Sequence, residues 1–185
     1  MIITRTPLRV SFCGGGTDLP SYYLQQQGAV VSTTINKYVY ITINRLSPYF
    51  PNRILIKYSQ TELVDSVDEI HHPIIREAMK LAGVVDSVEI TSMADIPAGT
   101  GLGSSSSYAV GLLHALHTYR GEYVSAARLA EEACEIEIGR LKDPIGKQDQ
   151  YIAAYGGICH IRFNPDESVF VDPVVCTHPT KMALE

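Results

Sequence analysis

At 185 residues, 45% hydrophobic and 19% charged, the chain is long enough for one domain with a sizeable core and too apolar for a disordered segment. Its formal net charge of −5 and isoelectric point of about 5.7 argue against nucleic acid or an anionic membrane held by charge alone. Cys13, Cys134, Cys159 and Cys176 form no C-x-x-C pair, which points to a reduced, cytoplasmic setting; MIITRTPLRV lacks the core of a signal peptide, and no run reaches the roughly 18 apolar residues of a membrane span.

In chain order, residues 2–13 read as a strand interrupted near Pro7. CGGGTD, residues 13–18, is a tight glycine loop in which Gly14, Gly15 and Gly16 let the backbone approach a ligand. Asp18 either accepts from sugar hydroxyls or caps the next helix. LPSYYLQQQ reads as a short helix ended by Gly28. Residues 29–46, rich in β-branched and aromatic side chains, read as one long strand or a bent pair, and 53–59 as another strand. His71 and His72 mark a loop or helix entry, with a substrate contact as the alternative. A helix is predicted over 73–83, with Pro73 in its first turn and Gly83 past its end, then a strand over 87–94.

The most informative stretch is PAGTGLGSSSSYAVGLLHAL, Pro97 to Leu116, which sets alternating glycines and four consecutive serines against a helix predicted over 104–119. A helix start leaves about four N–H groups without partners and carries a positive partial charge, so anions bind there. Gly99, Gly101 and Gly103 allow sharp turns and close approach. Ser104 to Ser107 can cap the helix, bind phosphate oxygens or reach a Mg²⁺. No lysine follows the glycines, which excludes a Walker-type loop, and the spacing is not that of a dinucleotide-binding fold. The alternative is a flexible connector with a serine cap.

A second helix is predicted over 125–139 with Ser125 as its cap. At about 100° per residue, Ala126, Leu129, Ala130, Ala133 and Ile136 share an arc of about 120°, and Glu137 lies inside it. A carboxylate on a buried face needs a partner; Glu137 is therefore either a Mg²⁺ ligand or sits at a frayed helix end. A turn-rich connector spans 140–147, and a short helix is expected over 147–154. Asp149 in its first turn either complements the helix dipole or serves as a base for a substrate hydroxyl. Residues 156–163 and 168–175 read as a closing hairpin. His114 and His117 lack the further ligands of a metal site, and Arg9 and Lys37, on or beside strands, either face phosphate or are simply solvated. Strands, then helices, then strands predict an α+β domain with helices on one face of a mixed, mostly antiparallel sheet.

Together TPLRVSFCGGGTD and PAGTGLGSSSS resemble the GHMP small-molecule kinases, with GGGTD, TINKYVYITI and GKQDQYIAAYGG most similar to the heptose 7-phosphate kinase branch. The resemblance implies the N-terminal domain of that family, a ribosomal-protein-like fold with a left-handed βαβ crossover, over residues 1–175. Residues 176–185 would begin the connection to a C-terminal kinase domain missing from the chain. It implies an ATP-dependent kinase with Mg²⁺, acting on a small-molecule sugar or sugar phosphate, most nearly the C1 hydroxyl of D-glycero-D-manno-heptose 7-phosphate. The alternatives are a fucose-like or galactose-like sugar, or a non-catalytic sugar- or nucleotide-binding module. Galactokinase-like members carry Glu-His where this chain has Gly15-Gly16, which argues against galactose.

Residue by residue, the resemblance makes Asp149 and Arg9 catalytic and Ser105 (or Ser104) and Glu137 metal-binding. Pro97, Gly99, Gly101, Leu102, Gly103, Ser104, Ser105 and Ser106 become nucleotide-binding. Asp18, Gly15, Gly16, Thr17 and Lys37 become substrate-binding. A homodimer stays open, and an RNA-binding module on the same fold is the rival that the acidic balance opposes.

Overall fold

A computed structural model describes residues 1–177. β1 (Ile2–Cys13) is one strand that Pro7 does not break. Its pairing slips between Pro7 and Arg9, and an edge strand with a bulge tolerates the missing N–H. The glycine loop is followed by a single helical turn, α1 (Pro20–Tyr23), shorter than the helix expected over 19–27. β2 (Gly28–Arg45) resolves the choice between one strand and two: it is continuous, but its two halves serve different neighbours.

β3 (Ile54–Lys57) forms a hairpin with β4 (Thr61–Val64), a strand too short for its alternation to register in the sequence. A 3₁₀ turn at Val67–Glu69 leads to α2 (Pro73–Ala82), which ends at Gly83 in the left-handed region as expected. Then come β5 (Val88–Ala94), α3 (Ser104–Tyr119) and α4 (Ala126–Cys134). The expected helix over 125–139 is not uniform: after Cys134 it widens into a π-helical turn, Glu135–Arg140. α5 (Gln148–Tyr155) and the hairpin β6 (Ile158–Phe163) and β7 (Val169–Pro173) complete the described chain. Of the expected connection over 176–185, residues 178–185 lie outside the described residues.

The sheet runs β4-β3-β5-β2-β6-β7, with β1 along the other edge of β2. Among the described residues only β3 and β5 pair in parallel. The fold is thus α+β on a mixed, mostly antiparallel sheet, as the element order predicts. The core joins Leu8, Ile41, Ile43, Ile56 and Ile90 of the sheet to Met79 of α2 and Leu112, Leu113 and Leu116 of α3. α3 crosses β1 closely: the Thr4 hydroxyl donates to Gly111 O at 2.9 Å, and a Cβ on Gly111 would meet Thr6 Oγ1 at 2.5 Å. That approach fixes the start of α3 beside Arg9.

Candidate active site

The loop before α3 crosses three left-handed turns, Gly99, Gly101 and Gly103, at φ of 82°, 75° and 74°. These are conformations that only glycine adopts without strain. Gly103 is also the N-cap of α3, and no side chain caps the helix. The N–H groups of Ser104, Ser105 and Ser106 therefore have no protein partner among the described residues, although Ser125 and His72 cap α4 and α2. Residues 97–101 are exposed, and nothing lies within 4 Å of where a Cβ would sit on Gly99 or Gly101. A connector needing only a cap would have used one of its serines; this loop leaves the donors open.

Arg9 anchors the loop. Its backbone N–H donates to Leu102 O at 3.0 Å and its Nη1 to Gly101 O at 2.6 Å. The other face of the guanidinium forms a two-point pair with Asp149, Nε to Oδ1 and Nη2 to Oδ2, both at 2.7 Å. Gly103 is packed on this pair: a Cβ there would sit 3.1 Å from Arg9 Cγ and 3.2 Å from Asp149 Oδ2. Burial raises the Asp149 carboxyl above the ordinary aspartate value, against the pull of Arg9, and the charge of Asp18 adds to the rise.

Glu137 reaches the same helix start from the other side. It is fully buried, and its Oε1 accepts from Ser105 Oγ at 2.7 Å while its Oε2 accepts from Gln150 Nε2 at 2.7 Å. Burial raises its carboxyl above the ordinary glutamate value, with the bonds from Ser105, Ser106 and Gln150 opposing. Glu137 stands in the π turn, a bulge common at functional sites, and it faces inward as its place on the apolar arc predicts. Ser105 and Glu137 form a pair of hard oxygen donors at the mouth of the loop. Among the described residues no three His, Cys, Asp or Glu side chains gather to cage a metal; the hydroxyl and carboxylate oxygens of Ser105 and Glu137 are donors of the hard type that Mg²⁺ accepts.

A cleft of about 690 Å³ opens beside Gly99, Ser104 and Ser105 and runs over Val39, Ile74 and Tyr108. His72 lies in its wall, stacked on Tyr108 with ring centroids 5.2 Å apart and edge-on to Tyr58 at 4.9 Å. Burial lowers the His72 pKa.

Residues 67–157 match the family described as the GHMP kinases N terminal domain. This chain carries a GHMP kinase N-terminal domain. It is 30% identical to the D-glycero-alpha-D-manno-heptose 7-phosphate kinase of Campylobacter jejuni, with 94% of this chain and 54% of that protein covered. It is 26% identical to the L-fucokinase/L-fucose-1-P guanylyltransferase of Bacteroides fragilis, over 83% of this chain and 19% of that protein. Among solved structures, a D-glycero-D-manno-heptose 1-phosphate kinase from Bacteriodes thetaiotaomicron superposes with a TM-score of 0.85 at 29% identity, covering 96% of this chain and 61% of that one. The chain thus spans only part of each GHMP kinase relative. Arg9 and Asp18 lie outside the matched segment.

The structure brings Arg9, Asp149, Glu137, Ser105 and the glycine loop together. Other candidates fall differently. Asp18 does not cap its own helix, whose N-cap is Leu19 without a side-chain bond. It turns inward, 3% exposed, and its carboxylate accepts from Gly16 N and Gln148 N, each at 3.1 Å. It therefore caps α5 from across the chain. The Thr17 hydroxyl is engaged by Gly14 O, Ala29 O and Ala29 N, which fixes the loop and leaves Gly15 and Gly16 at its exposed tip. Ser106 is buried beside Glu137, so only its backbone faces the loop. Lys37 is exposed and has no hydrogen bond or ion pair to these residues. His117 belongs to a buried clamp with Glu122 and Glu132, at 2.8 and 2.7 Å. Sequence reasoning missed Gln150 and Tyr108, since nothing in their local spacing marks a partner many residues away.

Proposed function

We propose that this domain is the nucleotide-binding half of an ATP-dependent sugar kinase, transferring the γ-phosphoryl group to a hydroxyl of a sugar phosphate. The observation that carries the reading is the Arg9–Asp149 pair seated on Gly103, at the uncapped start of α3. Phosphoryl transfer breaks the bond from the γ-phosphorus to its bridging oxygen and forms one to the acceptor oxygen, and the hydroxyl proton must leave. Catalysis of such a loose transition state is mostly positioning and charge stabilisation.

The open amides of Ser104 to Ser106, with the backbone of 99–103, would bind the phosphate oxygens, and the adjoining apolar cleft would take the base. Asp149 would align the acceptor hydroxyl and take its proton; burial makes it a stronger base than an ordinary aspartate, and Arg9 holds it in place. Ser105 and Glu137 would hold Mg²⁺, which when bound offsets phosphate charge. The acceptor would lie near Asp149 and the exposed tip of the 14–16 loop. The likeness to heptose kinases supports the C1 hydroxyl of D-glycero-D-manno-heptose 7-phosphate as acceptor, and the likeness to an L-fucokinase supports fucose as the second choice.

The test is ADP release by the intact protein with heptose 7-phosphate, mannose, fucose and galactose. The expected result is turnover with the heptose phosphate above the others, and a loss of about 10²–10⁴-fold in kcat for Asp149→Asn with nucleotide binding retained. Nucleotide binding without turnover of any sugar would make the protein a sensor. Equal turnover by the variant would remove Asp149 from the chemistry.

A further inference from the structure

Gln150 follows Asp149 on α5 and is fully buried. Its Nε2 donates to Glu137 Oε2 at 2.7 Å, while Ser105 Oγ donates to Glu137 Oε1 at 2.7 Å. The amide oxygen, Oε1 of Gln150, is buried and meets no donor. A methionine of similar volume would fill this space without orphaning a carbonyl, so packing alone does not call for an amide. The N–H end does.

We infer that Gln150 is a positioning residue for the cation site: it occupies Oε2 of Glu137 and so turns Oε1 toward Ser105 and the phosphate loop. A ligating carboxylate held by one outer hydrogen bond loses its freedom to rotate, and such partners govern metal affinity. The placement has a second consequence. Successive residues of a helix point about 100° apart, so one turn of α5 aims Asp149 at Arg9 and Gln150 at Glu137. One rigid element thereby sets the separation of the two carboxylates. The inference rests on the kinase reading above.

The experiment uses the intact protein with ADP, titrated with Mn²⁺ and followed by electron paramagnetic resonance, with metal-free ADP binding and Tm measured in parallel. Gln150→Met is expected to weaken Mn²⁺ binding in the ADP complex by about 10–100-fold, while metal-free ADP binding stays at the parent's level and Tm shows that the variant is folded. Gln150→Asn, which keeps the amide on a shorter arm, is expected to recover part of the loss and serves if the methionine variant does not fold. Parent-like Mn²⁺ affinity in Gln150→Met, or equal losses of Mn²⁺ and metal-free ADP, overturns the positioning role. A parent protein that binds ADP no better with Mn²⁺ than without it overturns the kinase reading, and this inference with it.

Discussion

Glycine 146 shows how one missing carbon can shape a site. A Cβ there would lie 1.9 Å from Asp18 Oδ2, so the Asp18 carboxylate sits where any other residue would put its side chain. From that place it accepts the Gln148 N–H and holds the first turn of α5, next to Asp149. Gly146→Ala should cost about 1–3 kcal/mol by overpacking and lower turnover. The double variant Gly146→Ala/Asp18→Ala should lose less than the sum of the single effects in urea melts, and additive losses would show that the two positions do not touch. Glu137 supports a prediction about pH. Burial raises its carboxyl, so the native state keeps the proton at a pH where the unfolded chain has released it. Stability from this group is therefore full at low pH and lost as pH rises through the raised value. Glu137→Gln does not titrate. The Tm advantage of the parent over this variant, without cation, should shrink as pH rises above the ordinary glutamate range; a constant gap would mean that Glu137 does not carry the effect.

Each element of the site contributes by how it begins or breaks. α3 begins without a side-chain cap, and α4 passes into a π turn that carries Glu137. The far end of α3 is tied down instead by His117, 1% exposed, whose two ring nitrogens each meet a carboxylate oxygen. His117→Phe leaves the half-buried Glu132 with Arg128 as its remaining partner and should destabilise the domain by about 1–3 kcal/mol. Thermal melts of the two proteins check this, and an unchanged Tm would make the clamp energetically idle. The π turn and the clamp were not legible in the sequence. The periodicity of 125–139 is compatible with a plain α-helix, and His117 reads as half of a weak i, i+3 pair.

Across the whole molecule the acidic balance predicts an outcome as well. With a net charge of −5 and its cations largely spent on internal pairs such as Arg9–Asp149 and Arg140–Glu135, the domain should not shift RNA even at low salt. A salt-dependent shift would reopen the RNA-binding alternative. By itself the sequence determined what is local: the strand and helix segments, the glycine loop and its helix start, and the odd polarity of Glu137 on an apolar face. Those properties depend on neighbours a few residues apart, where backbone sterics and helical period act. Only the tertiary structure decided that Arg9 meets Asp149 across 140 residues, that Ser105 meets Glu137 across 32, and that Asp18 serves another helix than its own. Such contacts depend on how β1, α3 and α5 pack against one another, and no residue pattern along the chain encodes a distance between elements that meet only after the core has closed.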